Sequence, residues 1–156
     1  MDEESSRANS FEALYVTHRG EAVRLAWLLT HDPALAEDIA QDAFVALYRA
    51  ITRVADPAAY LRRSVINGVY ERSRRREREQ RRNGLVVAGQ QVVHDGPTAG
   101  ILDAVAALPI DQRTCIVLRY WADLRDHEIA DALGIRPGTA RSHLSRATSR
   151  LRKELQ

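Results

Sequence analysis

The stretch that decides the fold is residues 127–135, which read His127-Glu128-Ile129-Ala130-Asp131-Ala132-Leu133-Gly134-Ile135. Ile129, Ala130 and Leu133 form one apolar stripe on a short helix, because positions three and four apart share a helical face. The small Ala130 side chain lets a second helix approach closely. Gly134 can take the left-handed conformation that ends a helix sharply, and Ile135 then fills the angle between the helices.

A second helix is predicted to begin at Pro137-Gly138-Thr139 and to continue to the C-terminus. Its inward positions recur at helical spacing and are Ala140, Leu144, Ala147 and Leu151. The opposite face is basic and hydroxylic, with Arg136, Arg141, Ser142, His143, Ser145, Arg146 and Arg150. This is the pattern of a helix-turn-helix, whose second helix enters the major groove of DNA. A plain three-helix bundle with a solvated basic face is the alternative.

Charge is distributed unevenly along the 156 residues, whose formal net charge is only +2. Residues 60–82 hold nine Arg against three Glu and residues 136–156 are also strongly basic, whereas the first fifty residues hold nine acids against four Arg. All basic residues but Lys153 are arginine, whose planar fork suits phosphate or a guanine edge. The pattern predicts two separate nucleic-acid contacts and a protein partner for the acidic end.

Several other classes of protein are disfavoured. The single cysteine, Cys115, excludes an intramolecular disulfide and a multi-cysteine metal site, and its apolar neighbours predict a buried thiol. No apolar run approaches the ~20 residues of a membrane span, and the N-terminus lacks the pattern of a signal peptide, so the expected location is the cytoplasm. Without a glycine-rich phosphate loop, a metal-ligand spacing or an activated nucleophile, the sequence predicts no enzyme, no cofactor and no metal.

The remaining segments also favour helices, so the predicted fold class is all-α. Apolar steps of three and four predict a helix from Phe11 to about Thr30, after polar residues 1–9 that are expected to be frayed. Asp32-Pro33 and Asp56-Pro57 mark two more helix starts, each with Asp as the N-cap and Pro at the first helical position. The last of these helices runs into the arginine-rich part of residues 60–82, which we call the arginine cluster. The tail of this cluster, residues 78–82, is expected to be loosely structured.

The predicted organisation is two small helical domains joined by a flexible linker. Residues 83–99 contain three glycines and one proline and show no sustained periodicity, which is typical of a linker. The domains are therefore expected at residues 10–82 and 100–156. In the second domain, helical patterning over residues 101–108 and 111–121 precedes the helix-turn-helix.

These motifs together resemble the extracytoplasmic-function (ECF) class of the bacterial sigma-70 family, the minimal RNA polymerase sigma factors. In the second half the resemblance is carried by Ala107-Leu108-Pro109 through Leu124, Glu128-Ile129-Ala130, Leu133-Gly134-Ile135, Gly138-Thr139, Ser145-Arg146-Ala147 and Leu151-Arg152. Residues 36–44 are similar to the acidic helix with which the family grips core RNA polymerase. Residues 59–76 are similar to its element-reading helix. Departures from the family pattern include Tyr60, where tryptophan is usual, and Arg125-Asp126 before the helix-turn-helix.

The resemblance covers about residues 10–155 and implies three functional surfaces. It implies a region 2-like domain at 10–82, the linker, and a region 4-like domain at 100–156. The implied polymerase-binding residues are Glu37, Asp38, Gln41, Asp42, Val45 and Arg49. The residues implied to bind the −10 element are Tyr60, Arg62, Arg63, Asn67, Tyr70, Arg74 and Arg75. Those implied to bind the −35 element are Arg136, Thr139, Arg141, Ser142, His143, Ser145, Arg146 and Arg150.

The function implied by the resemblance is that of a sigma factor. It would bind core RNA polymerase, recognise the −35 and −10 elements of promoter DNA and assist DNA melting, with an anti-sigma factor as a further partner. The main alternative is a helix-turn-helix regulator that binds duplex DNA without acting as a polymerase subunit. A more distant alternative, an RNA-binding adaptor that uses the arginine cluster, leaves the helix-turn-helix unexplained. Binding to core polymerase discriminates the first reading from the others.

Overall fold

The computed structural model describes residues 2–84 and 95–156, and over these ranges the chain forms seven helices and no strand. The predicted all-α class is confirmed. The helices are α1 Glu3–Thr30, α2 Pro33–Ala50, α3 Pro57–Asn83, α4 Ala99–Ala106, α5 Ile110–Tyr120, α6 Asp126–Leu133 and α7 Pro137–Glu154. Two compact units comprise Met1–Arg72 and Ser73–Gln156. Within the described ranges, no helix combines the length and apolar character that a membrane span requires.

Helix α1 begins at Glu3, so the expectation that residues 1–9 are frayed is wrong. Glu3 and Glu4 lie in the first turn, where the positive end of the helix dipole favours carboxylates. One turn further on, the Arg7 guanidinium donates a 3.2 Å hydrogen bond to the Tyr48 carbonyl and lies 5.3 Å from the centre of the Tyr48 ring. Contact with the end of α2 therefore stabilises the early turns of α1.

Helices α1 and α2 pack through apolar and aromatic side chains. The buried residues of α1 are Ala22, Leu25, Ala26 and Leu29, and those of α2 are Ala36, Ile39, Ala40, Ala43, Phe44, Leu47 and Ala50. Phe11 lies edge-on to both Phe44 and Tyr48, with ring centroids 6.2 and 5.1 Å apart. The predicted N-cap of α2 is confirmed, because the Asp32 carboxylate accepts a hydrogen bond from the Leu35 N–H at 3.2 Å.

A glycine allows α3 to approach α2 closely at one point. A Cβ atom on Gly68 would lie only 3.0 Å from Cγ2 of the buried Ile39, so this crossing has no room for a larger residue without movement. The predicted cap is present, since the Asp56 carboxylate accepts from the Ala59 N–H at 3.2 Å. The helix continues to Asn83, and the expectation that residues 78–82 are loosely structured is therefore wrong. Arg81 and Arg82 suit this last turn, because cations stabilise the negative end of a helix.

Residues 85–94, most of the predicted linker, lie outside the described residues. At its margins, Asn83 still belongs to α3 and Ala99 begins α4. The linker and the two domain boundaries stay predictions.

The second unit surrounds α5, which buries Thr114, Cys115, Ile116, Val117 and Leu118. Arg113 reaches back from α5 and donates hydrogen bonds to the carbonyls of Ala106 and Leu108, at 3.0 and 2.9 Å. These carbonyls lie at the end of α4, where the last groups of a helix lack internal partners. The arginine therefore fixes the angle at which α4 meets α5.

The predicted turn between α6 and α7 is confirmed at Gly134. Its backbone has φ 66° and ψ 34°, the left-handed conformation. The N–H groups of Gly134 and Ile135 both donate to the Ala130 carbonyl, the second at 3.0 Å. Ala130 on α6 and Ala140 on α7 are buried, and such small side chains allow two helices to approach closely.

Replacing Gly134 by alanine should destabilise the second unit by about 1 kcal/mol, because a left-handed conformation costs a residue with a Cβ roughly that much. Urea unfolding of the full chain measures the change. Gly100→Ala is the matched control, since a Cβ there would meet nothing within 4 Å and the glycine lies in α4. The control should leave stability unchanged or raise it by up to ~1 kcal/mol. Equal effects of the two substitutions would contradict this account of the turn.

Cys115 is fully buried, as predicted. Burial raises the pKa of its thiol to about 11, and the nearby Asp111 carboxylate adds to the effect. The thiol is therefore protonated at neutral pH and a poor nucleophile.

The stability of the protein should decline as the pH rises from about 9 towards 11, partly because of Cys115. In this interval the unfolded thiol loses its proton while the folded thiol keeps it, so ionisation favours the unfolded state. Below pH 9 the contribution is fully present. The free energy of unfolding of the wild type and Cys115→Ala, measured from pH 7 to 11, isolates this contribution. The two curves should converge with rising pH, and parallel curves would count against the raised pKa.

Candidate functional site

The six predicted polymerase-binding residues share one solvent-facing side of α2. Glu37, Asp38, Gln41, Asp42, Val45 and Arg49 are all exposed, and they recur three and four positions apart, which places them on a single helical face. The opposite face of the same helix is buried. We call this set the α2 outer face. It offers three carboxylates around the half-exposed, apolar Val45.

Two of these carboxylates already have arginine partners. Glu37 Oε2 accepts a 2.9 Å hydrogen bond from Arg19 on α1, and Asp42 Oδ2 accepts one of 3.2 Å from Arg72 on α3. The Arg19 side chain also donates to the Tyr15 hydroxyl at 3.0 Å, and this bond, followed by the Glu37 charge, raises the pKa of Arg19. Both carboxylates remain more than half exposed. Such solvated pairs are weak, so a stronger cation can displace either arginine.

The predicted −10 residues fall into two groups on α3. Tyr60, Arg63, Asn67, Tyr70 and Arg74 recur at steps of three and four, so they form one stripe along the helix. Within it Arg63, Asn67 and Arg74 are exposed and the two tyrosines are half-buried. The half-buried Arg62 and the exposed Arg75 lie outside this stripe. We call the five residues the α3 stripe.

Tyr60 takes part in packing as well as in the α3 stripe. Its hydroxyl lies 3.4 Å from the carbonyl oxygen of Ala46, to which it donates a long hydrogen bond. The ring is therefore held against α2 by one end while part of it stays accessible. Asn67 carries an amide with both a donor and an acceptor, and it lies exposed between the two tyrosines of the stripe.

The predicted −35 residues occupy the outer side of α7. Arg136, Thr139, Arg141, Ser142, Ser145, Arg146 and Arg150 are exposed, whereas His143 is half-buried. Inward positions Ala140 and Ala147 are buried, while Leu144 and Leu151 are half-buried. The Ser142 hydroxyl donates to the Gly138 carbonyl at 3.1 Å, so its oxygen can still accept a bond from outside.

An acidic residue within this basic surface was missed by the sequence reasoning. Asp126, the first residue of α6, accepts a hydrogen bond from Arg119 on α5 and lies 3.8 Å from Nη1 of Arg141 on α7. The Glu128 carboxylate also accepts from the Arg125 N–H at 3.1 Å and so caps α6. Neither contact could be read from the sequence, because Arg125 stands where a capping box has a short polar residue and the arginine partners of Asp126 lie on other helices.

The part of the chain that the structure describes holds no group of three or more metal-ligating side chains. The candidate site residues lie on three surfaces, one on each of the helices α2, α3 and α7. The α2 outer face presents carboxylates, and the α3 stripe and the outer side of α7 present arginines with amide and hydroxyl groups.

Comparison with known families matches both halves of the chain. The family described as "Sigma-70 region 2" matches residues 14–79, and "Sigma-70, region 4" matches residues 99–151. An RNA polymerase sigma-E factor of Streptomyces avermitilis is 36% identical over 154 residues, which cover 94% of this chain and 85% of the relative. The ECF RNA polymerase sigma factor SigM of Mycobacterium tuberculosis is 27% identical, with 94% of this chain and 77% of the relative covered.

Solved structures share the fold. The sigma factor RpoE of Bartonella quintana, in complex with the anti-sigma factor NepR, superimposes with a TM-score of 0.81 at 23% identity, covering 94% of this chain and 96% of that chain. CnrH, in complex with the cytosolic domain of CnrY, gives a TM-score of 0.68 at 22% identity, with 95% and 88% covered. With both family regions matched and relatives similar over most of their length, the chain belongs to the ECF class of the sigma-70 family of RNA polymerase sigma factors.

Proposed function

We propose that this chain acts in the cytoplasm as a promoter-recognition subunit of RNA polymerase, using three separate surfaces for the polymerase, the −10 element and the −35 element. The observation that carries the proposal is the sorting of charge by helix. The α2 outer face presents carboxylates, whereas α3 and α7 present exposed arginines. A DNA-binding regulator that works without polymerase has no evident need for the first surface, so the alternative is less well supported.

The α2 outer face is the proposed contact with core polymerase. Its carboxylates favour a basic partner, and opposite charges accelerate encounter and set orientation. Val45, with 41% of its surface exposed, adds an apolar group at the centre of the face. Glu37 is paired with Arg19 of α1 and Asp42 with Arg72 of α3, and both carboxylates stay more than half exposed and accessible to a partner.

The α3 stripe is the proposed reader of the −10 element. A base in the duplex stack is hard to reach, so reading during melting requires a nucleotide that has left the stack. Aromatic side chains stack on such a base and an amide can pair with its edge. Asn67 lies between Tyr60 and Tyr70 on the same side of α3, so both kinds of contact are available there. Arg63 and Arg74 extend the stripe and can hold backbone phosphates.

The outer side of α7 is the proposed reader of the −35 element. The N-terminal part of a recognition helix reaches base edges in the major groove, and Arg141, Ser142 and Ser145 lie in that part. Arg136, Thr139 and Arg150 suit phosphate contacts on either side. Arg146 is one turn further along the exposed face, and the half-buried His143 has less surface to offer to DNA.

The proposed role is not catalytic, since the polymerase carries out the chemistry of nucleotide addition. An anti-sigma factor is a further proposed partner. This is supported by the sigma factor RpoE of Bartonella quintana, which has a similar fold and was solved in complex with the anti-sigma factor NepR. Occupation of the α2 outer face or of α7 by such a protein would compete with polymerase or DNA.

Addition of the chain to core RNA polymerase and a promoter library should yield initiation from a defined subset of sequences.

Asp38→Lys should weaken binding to core polymerase by about tenfold at low salt, because it places a cation against a basic partner. Titration of labelled protein with core polymerase measures the affinity. Glu12→Lys, which makes the same charge change at an exposed position of α1, is the control and should bind nearly as the wild type does. A chain that ignores core polymerase yet footprints a palindrome alone would support the regulator instead.

Asn67→Ala should impair promoter opening more than closed-complex binding. Loss of a two-bond base contact costs about 1–3 kcal/mol, so initiation from a closed template should fall about tenfold or more. On a matched template with a pre-opened −10 segment the loss should be smaller. Arg75→Ala, an exposed residue outside the α3 stripe, is the control and should affect both templates alike. Equal losses for Asn67→Ala on the two templates would reject its assigned role.

A further inference from the structure

One carboxylate connects both helices of the helix-turn-helix, α6 and α7, to the preceding helix α5. Asp126 Oδ1 accepts the hydrogen bond of Arg119 on α5, and Oδ2 lies 3.8 Å from Arg141 Nη1 on α7. A single negative charge is therefore shared by two arginines. One of them, Arg141, lies in the part of α7 that reaches base edges in a helix-turn-helix.

The Asp126 carboxylate is firmly held on one side. It belongs to the first turn of α6, where the helix dipole favours a negative charge. Its side chain is 31% exposed, and that of its partner Arg119 is 33% exposed. Arg119 Nε is buried without a hydrogen-bond partner among the described residues, so contact with Asp126 is the interaction that compensates this arginine. Asp126 thus presents a fixed anion towards α7.

The contact on the other side is looser. The 3.8 Å separation of Asp126 and Arg141 exceeds the length of a charge-assisted hydrogen bond, about 2.7–2.9 Å, and the Arg141 side chain is 62% exposed. Nη2 of Arg141 lies over Gly138, where a Cβ would be 3.7 Å away. The arginine therefore runs back along the first turn of α7 towards α6. Only Nη1 is near the carboxylate, and an arginine has five N–H donors, so donors remain for DNA.

We propose that Asp126 is a positioning residue that makes Arg141 selective for a base edge over flanking phosphates; this inference rests on the proposed function. An unrestrained surface arginine can rotate to meet any nearby phosphate, a contact that carries no sequence information. Asp126 attracts Arg141 to the first turn of α7 and repels phosphate from the same place. Contact with a base edge from this position keeps the attraction, whereas a flanking phosphate contact gives it up.

The test uses holoenzyme reconstituted from core RNA polymerase and the full chain, with a promoter library randomised at the −35 element. Asp126→Asn removes the charge with little change of shape. It should raise initiation from non-preferred −35 sequences and reduce the ratio of preferred to non-preferred initiation by about three- to tenfold, within the range of one base contact. Asp131→Asn removes the same charge from an exposed position of α6 and should leave that ratio within about twofold.

The coupling to Arg141 separates positioning from a general role. In an Arg141→Gln background, Asp126→Asn should no longer change the −35 ratio, because the side chain that it positions is gone. Asp126→Glu keeps the charge and should restore most of the selectivity lost in Asp126→Asn. Thermal unfolding and circular dichroism check that each variant is folded, and if Asp126→Asn is not, Asp126→Ser, which also removes the charge, is compared in the wild-type and Arg141→Gln backgrounds instead.

Three outcomes overturn the inference: an unchanged ratio in Asp126→Asn, an equal change in the Arg141→Gln background, or an equal change in Asp131→Asn. Each of these leaves the proposed function intact, because the wild-type holoenzyme still initiates selectively. A wild-type chain that supports no selective initiation with core polymerase overturns the proposed function itself, and the inference falls with it. Failure of the proposed role of Asp126 is thereby distinguishable from failure of the proposed function.

Discussion

Gly68 and Ile39 meet where a Cβ on the glycine would approach a methyl group to 3.0 Å, so the approach of α3 to α2 at this point depends on the absence of a side chain. When small residues occupy a helix crossing, the two backbones can approach closely. The sides of both helices that face away from the crossing then remain exposed to solvent. Helix α2 is buried along one side, and its other side exposes four charged residues together with Gln41 and Val45. The same solution recurs in the second unit, where Ala130, Ala140 and Ala147 are buried.

The candidate surfaces also share pairs of opposite charges. Acids lie beside the arginines in the pairs Glu37 with Arg19 and Asp42 with Arg72, and again where Asp126 meets two arginines. The pairs of Glu37 and Asp42 are solvated and weak, so they contribute little to the free energy of unfolding, whereas the contact between Asp126 and Arg119 is less exposed. Their effect is on where long, flexible side chains point before a partner arrives. That matters for recognition, because a side chain already held near its bound position loses less conformational freedom on binding.

Local signals in the sequence were sufficient for most helix limits. Asp32 and Asp56 cap their helices as their side chains and the following prolines indicate, and Gly134 adopts the left-handed conformation that the end of α6 requires. The apolar periodicity likewise identified the buried residues Ile129 and Ala130 of α6 and Ala140 and Ala147 of α7. Such features depend on residues within one or two turns, and a single sequence contains all of that information.

Features that depend on distant residues could not be predicted in this way. The start of α1 is stabilised by Arg7 and Tyr48, which are 41 positions apart, and nothing in residues 1–9 alone reveals that contact. The surface residues of the candidate site were proposed from a family pattern, which says where a side chain lies along a helix but not what it touches. For this reason the partners of Glu37, Asp42 and Arg141 emerged only from the structure.

The contact between Asp42 and Arg72 has a thermodynamic consequence for the first unit. Asp42 belongs to the α2 outer face, and Arg72 belongs to the arginine-rich helix α3. A basic partner that takes Asp42 releases Arg72, and a phosphate that takes Arg72 releases Asp42. Each ligand then finds the opposite charge already unpaired, so occupancy of either surface increases the affinity of the other by the same factor. Under the proposed function, this solvated ion pair would couple polymerase binding to DNA binding, by an amount limited to the small strength of that pair.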